Sequence, residues 1–277
     1  MKITCLVENS GDAPGLTARH GLCLFMETRD HTLLFDMGPD HTLIHNARNL
    51  GIDLAGVDLA FLSHGHRDHG GGLAAFRAAN PRAEIFMAEG AADRFYARLL
   101  WLFTKEIGLE ADSLDAKQCR SVTADTRISD SLEIFTGFDS DGFVPRGNKN
   151  LYRQDARGKK AKDDFSHELA LLVREEDKTI LITGCSHSGI GNMVTTVLRR
   201  TGLARIDHVV GGFHLFNPVT RQTEPPGRLD LLAEELLAFQ GTEFHTGHCT
   251  GPKAYAYLKN ILKDRISGFS TGSKIVV

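Results

Sequence analysis

Three histidines and an aspartate fall within six residues in Ser63-His64-Gly65-His66-Arg67-Asp68-His69-Gly70. Neutral imidazole nitrogens and an anionic carboxylate oxygen are the donors that a divalent ion takes at about 2 Å. His64 and His66, two apart in an extended turn, can point the same way. Asp68 and His69 open the next helical stretch and can turn toward a neighbouring ion. Related turns recur in Gly184-Cys185-Ser186-His187-Ser188-Gly189, Gly211-Gly212-Phe213-His214 and Thr246-Gly247-His248-Cys249-Thr250-Gly251. One histidine in a loop is usually a hydrogen-bonded polar residue. Four histidine-bearing turns, each just past an apolar strand, converge on one cleft if those strands share a sheet edge, where open α/β sheets build their ligand sites.

The elements that must position these turns are legible as short apolar runs alternating with amphipathic stretches. Ile3–Val7, Leu22–Met26 and Thr32–Phe35 read as strands, with a hairpin turn at Arg29-Asp30-His31. Leu43, Ile44, Ala47 and Leu50 mark a helix stopped by Gly51. Val57–Leu62 is nearly all apolar, as expected of a strand covered on both faces. Further strands are predicted at Ile85–Met87, Ser131–Thr136, Leu169–Val173, Thr179–Thr183, Ile206–Val210 and Thr242–Phe244. Helices are predicted over 189–200, 228–239 and 252–263. Residues 91–103 read as a helix ending in the crowded Leu99-Leu100-Trp101-Leu102-Phe103, which serves the core, a pocket wall or a subunit contact. Residues 137–168 are Gly-rich, polar and basic, carrying Arg146, Lys149, Arg153, Arg157, Lys159, Lys160 and Lys162. They read as a long loop that is either solvated or a lid.

With 277 residues, 42% hydrophobic and 24% charged, the chain has material for one large α/β domain. A balance of 32 basic against 35 acidic residues gives no general pull toward nucleic acid or an anionic membrane. The five cysteines are scattered and include no CxxC pair, which argues against a disulfide scaffold or a zinc ribbon. No apolar run is long enough to span a bilayer and no signal-peptide core is present, so a cytoplasmic location is expected.

The HxHxDH run His64–His69, the strand before it and Leu33-Leu34-Phe35-Asp36-Met37-Gly38 upstream resemble the metallo-β-lactamase superfamily. Leu6-Val7-Glu8-Asn9, the Cys185-Ser186-His187 turn, Gly211-Gly212-Phe213-His214-Leu215 and Gly247-His248-Cys249-Thr250-Gly251 are similar to one branch of it. That branch includes archaeal methanopterin-pathway synthases, which join a dihydropterin diphosphate to a ribofuranosyl-aminobenzene phosphate. The resemblance spans the whole chain. It implies a four-layer αββα sandwich of two mixed sheets with helices outside, as a single domain over 1–277 with the basic insertion at about 137–168.

The resemblance also implies a site for two divalent ions, zinc first, with manganese or iron as alternatives. His64 and His66 match ligands of one ion; Asp68, His69 and His248 match ligands of the other. His187 is the candidate to complete the first set. Two departures stand out. Ala88-Glu89-Gly90 lies where relatives usually carry another histidine, so Glu89 either ligates or is a surface glutamate. Cys185 stands near the usual bridging aspartate and is either a thiolate ligand or a small buried residue. Asp36 is either the carboxylate that orients a ligand histidine or a turn aspartate ahead of Gly38. His214 belongs to the branch pattern and is assigned to the substrate, with Asp68 and His214 as the catalytic candidates. Arg146 and Lys149 are expected to meet an anionic group on that substrate. His208 reads as packed; His20, His31, His41, His45 and His167 receive no role, and His245 has no separate signal.

The expected activity is metal-dependent hydrolysis or group transfer on a small phosphorylated or ester-like molecule. The resemblance adds displacement of diphosphate from a dihydropterin. The rival expectation is a non-catalytic metal- or pterin-binding protein on the same fold. Neither a nucleic-acid nor a membrane partner is expected; self-association is one of the readings left open for 91–103.

Overall fold

Successive residues along the strands feed different cores. Phe61 is fully buried in one apolar cluster, whereas its neighbours Ala60 and Leu62 are fully buried in another. The computed structural model describes residues 1–99, 103–110, 117–155 and 157–277. Within them two seven-stranded sheets lie face to face. The first has the order Lys274–Val276, Lys2–Val7, Cys23–Glu27, Thr32–Phe35, Leu59–Leu62, Glu84–Ala88, Cys119–Val122. The second runs Ile266–Gly268, Glu243–Thr246, His208–Gly211, Lys178–Ile182, Leu169–Glu175, Leu132–Thr136, Thr126–Arg127.

Each sheet is mixed in the same way. Antiparallel hairpins occupy one part, such as Cys23–Glu27 on Thr32–Phe35 and Leu169–Glu175 on Lys178–Ile182. Parallel strands occupy the other: Thr32–Phe35, Leu59–Leu62 and Glu84–Ala88 in the first sheet, Lys178–Ile182, His208–Gly211 and Glu243–Thr246 in the second. Parallel neighbours need crossovers, which here pass through helices on the outer faces. Thr42–Asn49 and Leu73–Ala79 cover the first sheet; Ile190–Thr201, Pro226–Ala238 and Pro252–Leu262 cover the second. The last two helices start on proline, whose fixed φ suits the first turn, and the first of the three stops at Gly202 in the left-handed region.

Three apolar layers result. Leu24, Phe35, Phe61, Leu171, Ile180, Ile182 and Val210 fill the space between the sheets, and their alternate neighbours pack under the helices. Burying a Phe or Leu side chain of this kind contributes roughly 1.5–3 kcal/mol, so the inter-sheet layer fixes how the two sets of strand ends face each other.

Two local expectations fail. Residues 91–103 are not helical: Arg94–Leu99 and Phe103–Glu106 are antiparallel strands, while 100–102 lie outside the described residues. The true period there is two. Phe95 and Ala97 lie on one face, whereas Tyr96 lies on the other, buried beneath the cations of Arg94 and Lys160. The stretch 137–168 is not structureless either. It forms a 3-10 turn at Arg146–Asn150 and the strands Leu151–Gln154 and Lys160–Lys162, which join Arg94–Leu99 in a small four-stranded sheet.

Candidate metal centre

The chemistry-bearing turns follow the ends of the parallel strands, from both sheets, and meet over the gap between them. Leu59–Leu62 delivers Ser63 and His64, Lys178–Ile182 delivers Cys185 and His187, His208–Gly211 delivers His214, and Glu243–Thr246 delivers His248. Close packing is built in at Gly184, where a Cβ would fall 2.1 Å from Ser63 Oγ. Asp36, Ser186, His214 and His248 all adopt positive φ, between 49° and 59°. Backbone strain of this kind, costing about 1–3 kcal/mol per residue, is concentrated where function needs it.

Hydrogen bonds fix which nitrogen each ring offers. Ser63 Oγ lies 2.8 Å from Asp36 Oδ2 and 2.8 Å from His64 Nδ1. Its hydroxyl donates to the carboxylate and accepts from His64 Nδ1, which leaves His64 Nε2 with a lone pair. His187 Nδ1 donates to Asn148 Oδ1 at 3.1 Å, and His248 Nδ1 donates to Asn9 Oδ1 at 2.9 Å. Both asparagines turn their amide nitrogens to the backbone carbonyl of the same histidine, at 2.7 and 3.0 Å. His69 Nδ1 donates to Asp36 Oδ2 at 2.5 Å. All four rings therefore present Nε2 inward.

Two buried carboxylates hold the turns through their backbone. Glu168 accepts from the N–H groups of His187 and Ser188 at 2.6 and 2.8 Å. Glu8 accepts from the N–H of His248 at 2.6 Å.

The donors gather in two groups. Asp68, His69, Cys185 and His248 each offer a ligand atom within 4.8 Å of the others, and so do His64, Cys185 and His187. Cys185 is common to both. His66 stands against the second group, its ring 4.5 Å from that of His64 and 5.1 Å from that of His187. The Nε2 atoms of His64, His66 and His187 are buried with no hydrogen-bond partner. An unpaired buried polar atom is costly, typically about 1–3 kcal/mol, and buried imidazole lone pairs are what a divalent cation would satisfy. These residues fit such an ion.

The electrostatics agree. Burial, then the neighbouring imidazoles, hold His64 and His187 well below the usual histidine range, so they stay neutral donors. Burial opposes charge on His69 as well, but Asp36 and Asp68 outweigh it and push it up to about 9. Asp68 stays ionised: burial resists it, and His69 and His248 overcome that. The acidic surroundings that keep a proton on His69 are those that would favour a cation in its place. Burial and the adjacent Cys249 push the Cys185 thiol up; a coordinated thiol would be deprotonated outright.

His214 sits beside this centre with its ring 4.1 Å from that of His187 and its Nδ1 buried and unpartnered. It lines two adjoining cavities. One, of about 440 Å³, is bounded by His66, Asp68, Cys185 and His187, with Ala97, Lys105 and Leu151 of the small sheet and the adjoining Ile107 as its cover. The other, of about 280 Å³, holds Arg98, Arg146 and Lys149. Arg153 is turned away, tied to Asp93 at 2.7 Å.

The structure thus brings together His64, His66, Asp68, His69, Cys185, His187 and His248, with Asp36 orienting His69. It does not bring in Glu89, which is exposed and lines a separate cavity with Gly90 and Asp93. Ala88 ends its strand facing the inter-sheet core, so the next residue points outward. Sequence reasoning missed Glu8, Asn9, Asn148 and Glu168, and also a buried pair beneath His66. His167 Nε2 lies 3.2 Å from both oxygens of Asp163, whose Oδ2 is 3.8 Å from His66 Nε2. His20, also unassigned, reaches Asp68 at 3.4 Å.

Known proteins resemble the chain over most of its length. The profile of the Metallo-beta-lactamase superfamily matches residues 16–248. A 7,8-dihydropterin-6-methyl-4-(beta-D-ribofuranosyl)-aminobenzene-5'-phosphate synthase of Methanocaldococcus jannaschii is 26% identical over 275 residues, covering 92% of this chain and 89% of that protein. An uncharacterized protein of the same organism is 30% identical over 210 residues, covering 72% of this chain and 73% of its own. A crystal structure described as a metal-dependent hydrolase of the beta-lactamase superfamily superposes with a TM-score of 0.82 at 26% identity, covering 100% of this chain and 99% of that one.

Proposed function

The chain belongs to the metallo-β-lactamase superfamily and has its fold, and from that premise we propose that it is a metal-dependent hydrolase or group transferase acting on a small phosphorylated or ester-like molecule. The observation that carries this reading is the set of unpartnered Nε2 atoms of His64, His66 and His187, of which His66 and His187 line an accessible cavity. His64, His66 and His187 would hold one divalent ion, and Asp68, His69 and His248 a second, with Cys185 between them. Such ions, zinc first and manganese or iron next, act as Lewis acids on a phosphoryl or carbonyl oxygen and activate water.

The chain's own groups do the rest. Asp36, Asn9 and Asn148 hold the rings in orientation. His214, at the junction of the two cavities, faces the leaving group as a hydrogen-bond donor or proton source. Arg146 and Lys149, with Arg98, receive an anionic group of the substrate. The name of the methanococcal relative suggests a dihydropterin and an aminobenzene phosphate as the compounds joined; the family resemblance adds a diphosphate on the dihydropterin as the group displaced.

The second reading, a binding protein without turnover, draws on Cys185. A thiolate shared by both donor groups would take space that a reacting water needs. Metal-loaded protein screened against phosphodiesters, phosphomonoesters, lactones, thioesters and a dihydropterin diphosphate with an aromatic amine distinguishes the two. Turnover that disappears with chelator supports the enzyme; ligand binding without turnover under any metal supports the binder.

A further inference from the structure

Another set of donors lies outside the cleft, toward the starts of two parallel strands whose far ends lead to His214 and His248. Strand register pairs His208 with Glu243, and His245 follows two residues along on the same face. His208 Nδ1 is 3.3 Å from His245 Nε2 and 3.8 Å from Glu243 Oε2, and the three ligand atoms lie within 4.8 Å of one another.

The spacing is that of ligands. Two nitrogens bound tetrahedrally at about 2.0–2.1 Å stand roughly 3.3–3.4 Å apart, so the rings need no rearrangement. His245 is already oriented, with Nδ1 2.7 Å from Ser267 Oγ and Nε2 turned to His208. That is the outer hydrogen bond a ligating histidine normally makes. Asp207, next in the chain to His208, is committed elsewhere, at 2.6 Å from Arg205 and 2.9 Å from the Thr179 N–H. Burial pushes His245 down to about 4 and lowers His208 too, so both imidazoles are neutral at neutral pH. Glu243 is exposed and supplies the negative charge.

We propose that His208, His245 and Glu243 form a peripheral site for one zinc ion, separate from the cleft, with its fourth position open to water. The ion would pin the strands His208–Gly211 and Glu243–Thr246 together, and binding only to the folded chain it would stabilise that state by mass action. Without an ion the same contact is an N–H···N hydrogen bond, and metal uptake separates the two.

The test is competition for zinc chloride between the protein and a chromophoric chelator. The wild type should take up one more equivalent than His245→Ala. Glu243→Gln, an exposed change that leaves packing alone, should hold that equivalent at least about ten-fold more weakly. His66→Ala, altered only in the cleft, should keep it, so failure of the cleft reading shows in a different variant. Unchanged stoichiometry in folded His245→Ala, or unchanged affinity in Glu243→Gln, overturns the proposal.

Discussion

Asp36 Oδ2 and His69 Nδ1 stand 2.5 Å apart, both residues fully buried, and the far nitrogen of the same ring lies 3.1 Å from His248 Nε2. A turn aspartate ahead of a glycine is thereby the residue that fixes the tautomer of a candidate ligand. Asp36→Asn keeps the shape and removes the charge. Metal affinity of the cleft should fall about 10- to 100-fold, with the circular dichroism spectrum retained. Affinity equal to wild type would reduce Asp36 to a folding role.

Arg146 and Lys149 are exposed and line the smaller cavity, which joins the larger one at His214. Replacing both with glutamine should raise KM for a phosphorylated substrate by about ten-fold or more while leaving an uncharged ester nearly unaffected. An equal effect on both substrates would make this end of the cleft a solvated rim.

The sequence disclosed the consecutive HxHxDH donors and the strand-end histidines because those signals are local. The carboxylates that hold the turns were not legible, because they act from a distance through backbone N–H groups. Glu8 reaches His248 across 240 residues of chain, and nothing in Leu6-Val7-Glu8-Asn9 announces a partner. Asp163 and His167 were hidden for a related reason. They meet His66 only because the small sheet returns the chain to the cleft. That sheet was itself misread. Its strand Lys160–Lys162 is exposed throughout, so no apolar alternation marks it. The crowded apolar run after Arg94 imitates a helix end.

The metal-free protein should be most stable near pH 6.5. His64 and His187 are held below the usual 6.5, chiefly by burial, and His245 is pushed down to about 4. The unfolded chain therefore binds more protons than the folded one below pH 6.5, and stability falls as the pH drops from there toward 4. His69 works in the other direction. Its folded pKa of about 9 contributes stability that is complete below 6.5 and is lost as the pH rises through 9. Urea unfolding of chelator-treated protein should show both limbs, and His69→Gln should flatten the alkaline one. A level profile from pH 4 to 9 would contradict the electrostatic account.

His214 belongs to the substrate side of the division proposed for the cleft. His214→Ala should keep its metal content and melting temperature and lose turnover by roughly 100- to 10,000-fold. A variant short of one metal equivalent would instead make His214 a ligand, for which its position near Cys185 and Cys249 leaves room.

The central claim is that the converging imidazoles of the cleft hold metal, and His66 tests it most directly. Its Nε2 is buried and unpartnered, and its ring lies 4.5 Å from that of His64 and 5.1 Å from that of His187. Elemental analysis of His66→Ala, purified without chelator alongside the wild type, should show the loss of about one metal equivalent while circular dichroism reports an intact fold. Full metal retention in that folded variant would contradict the account.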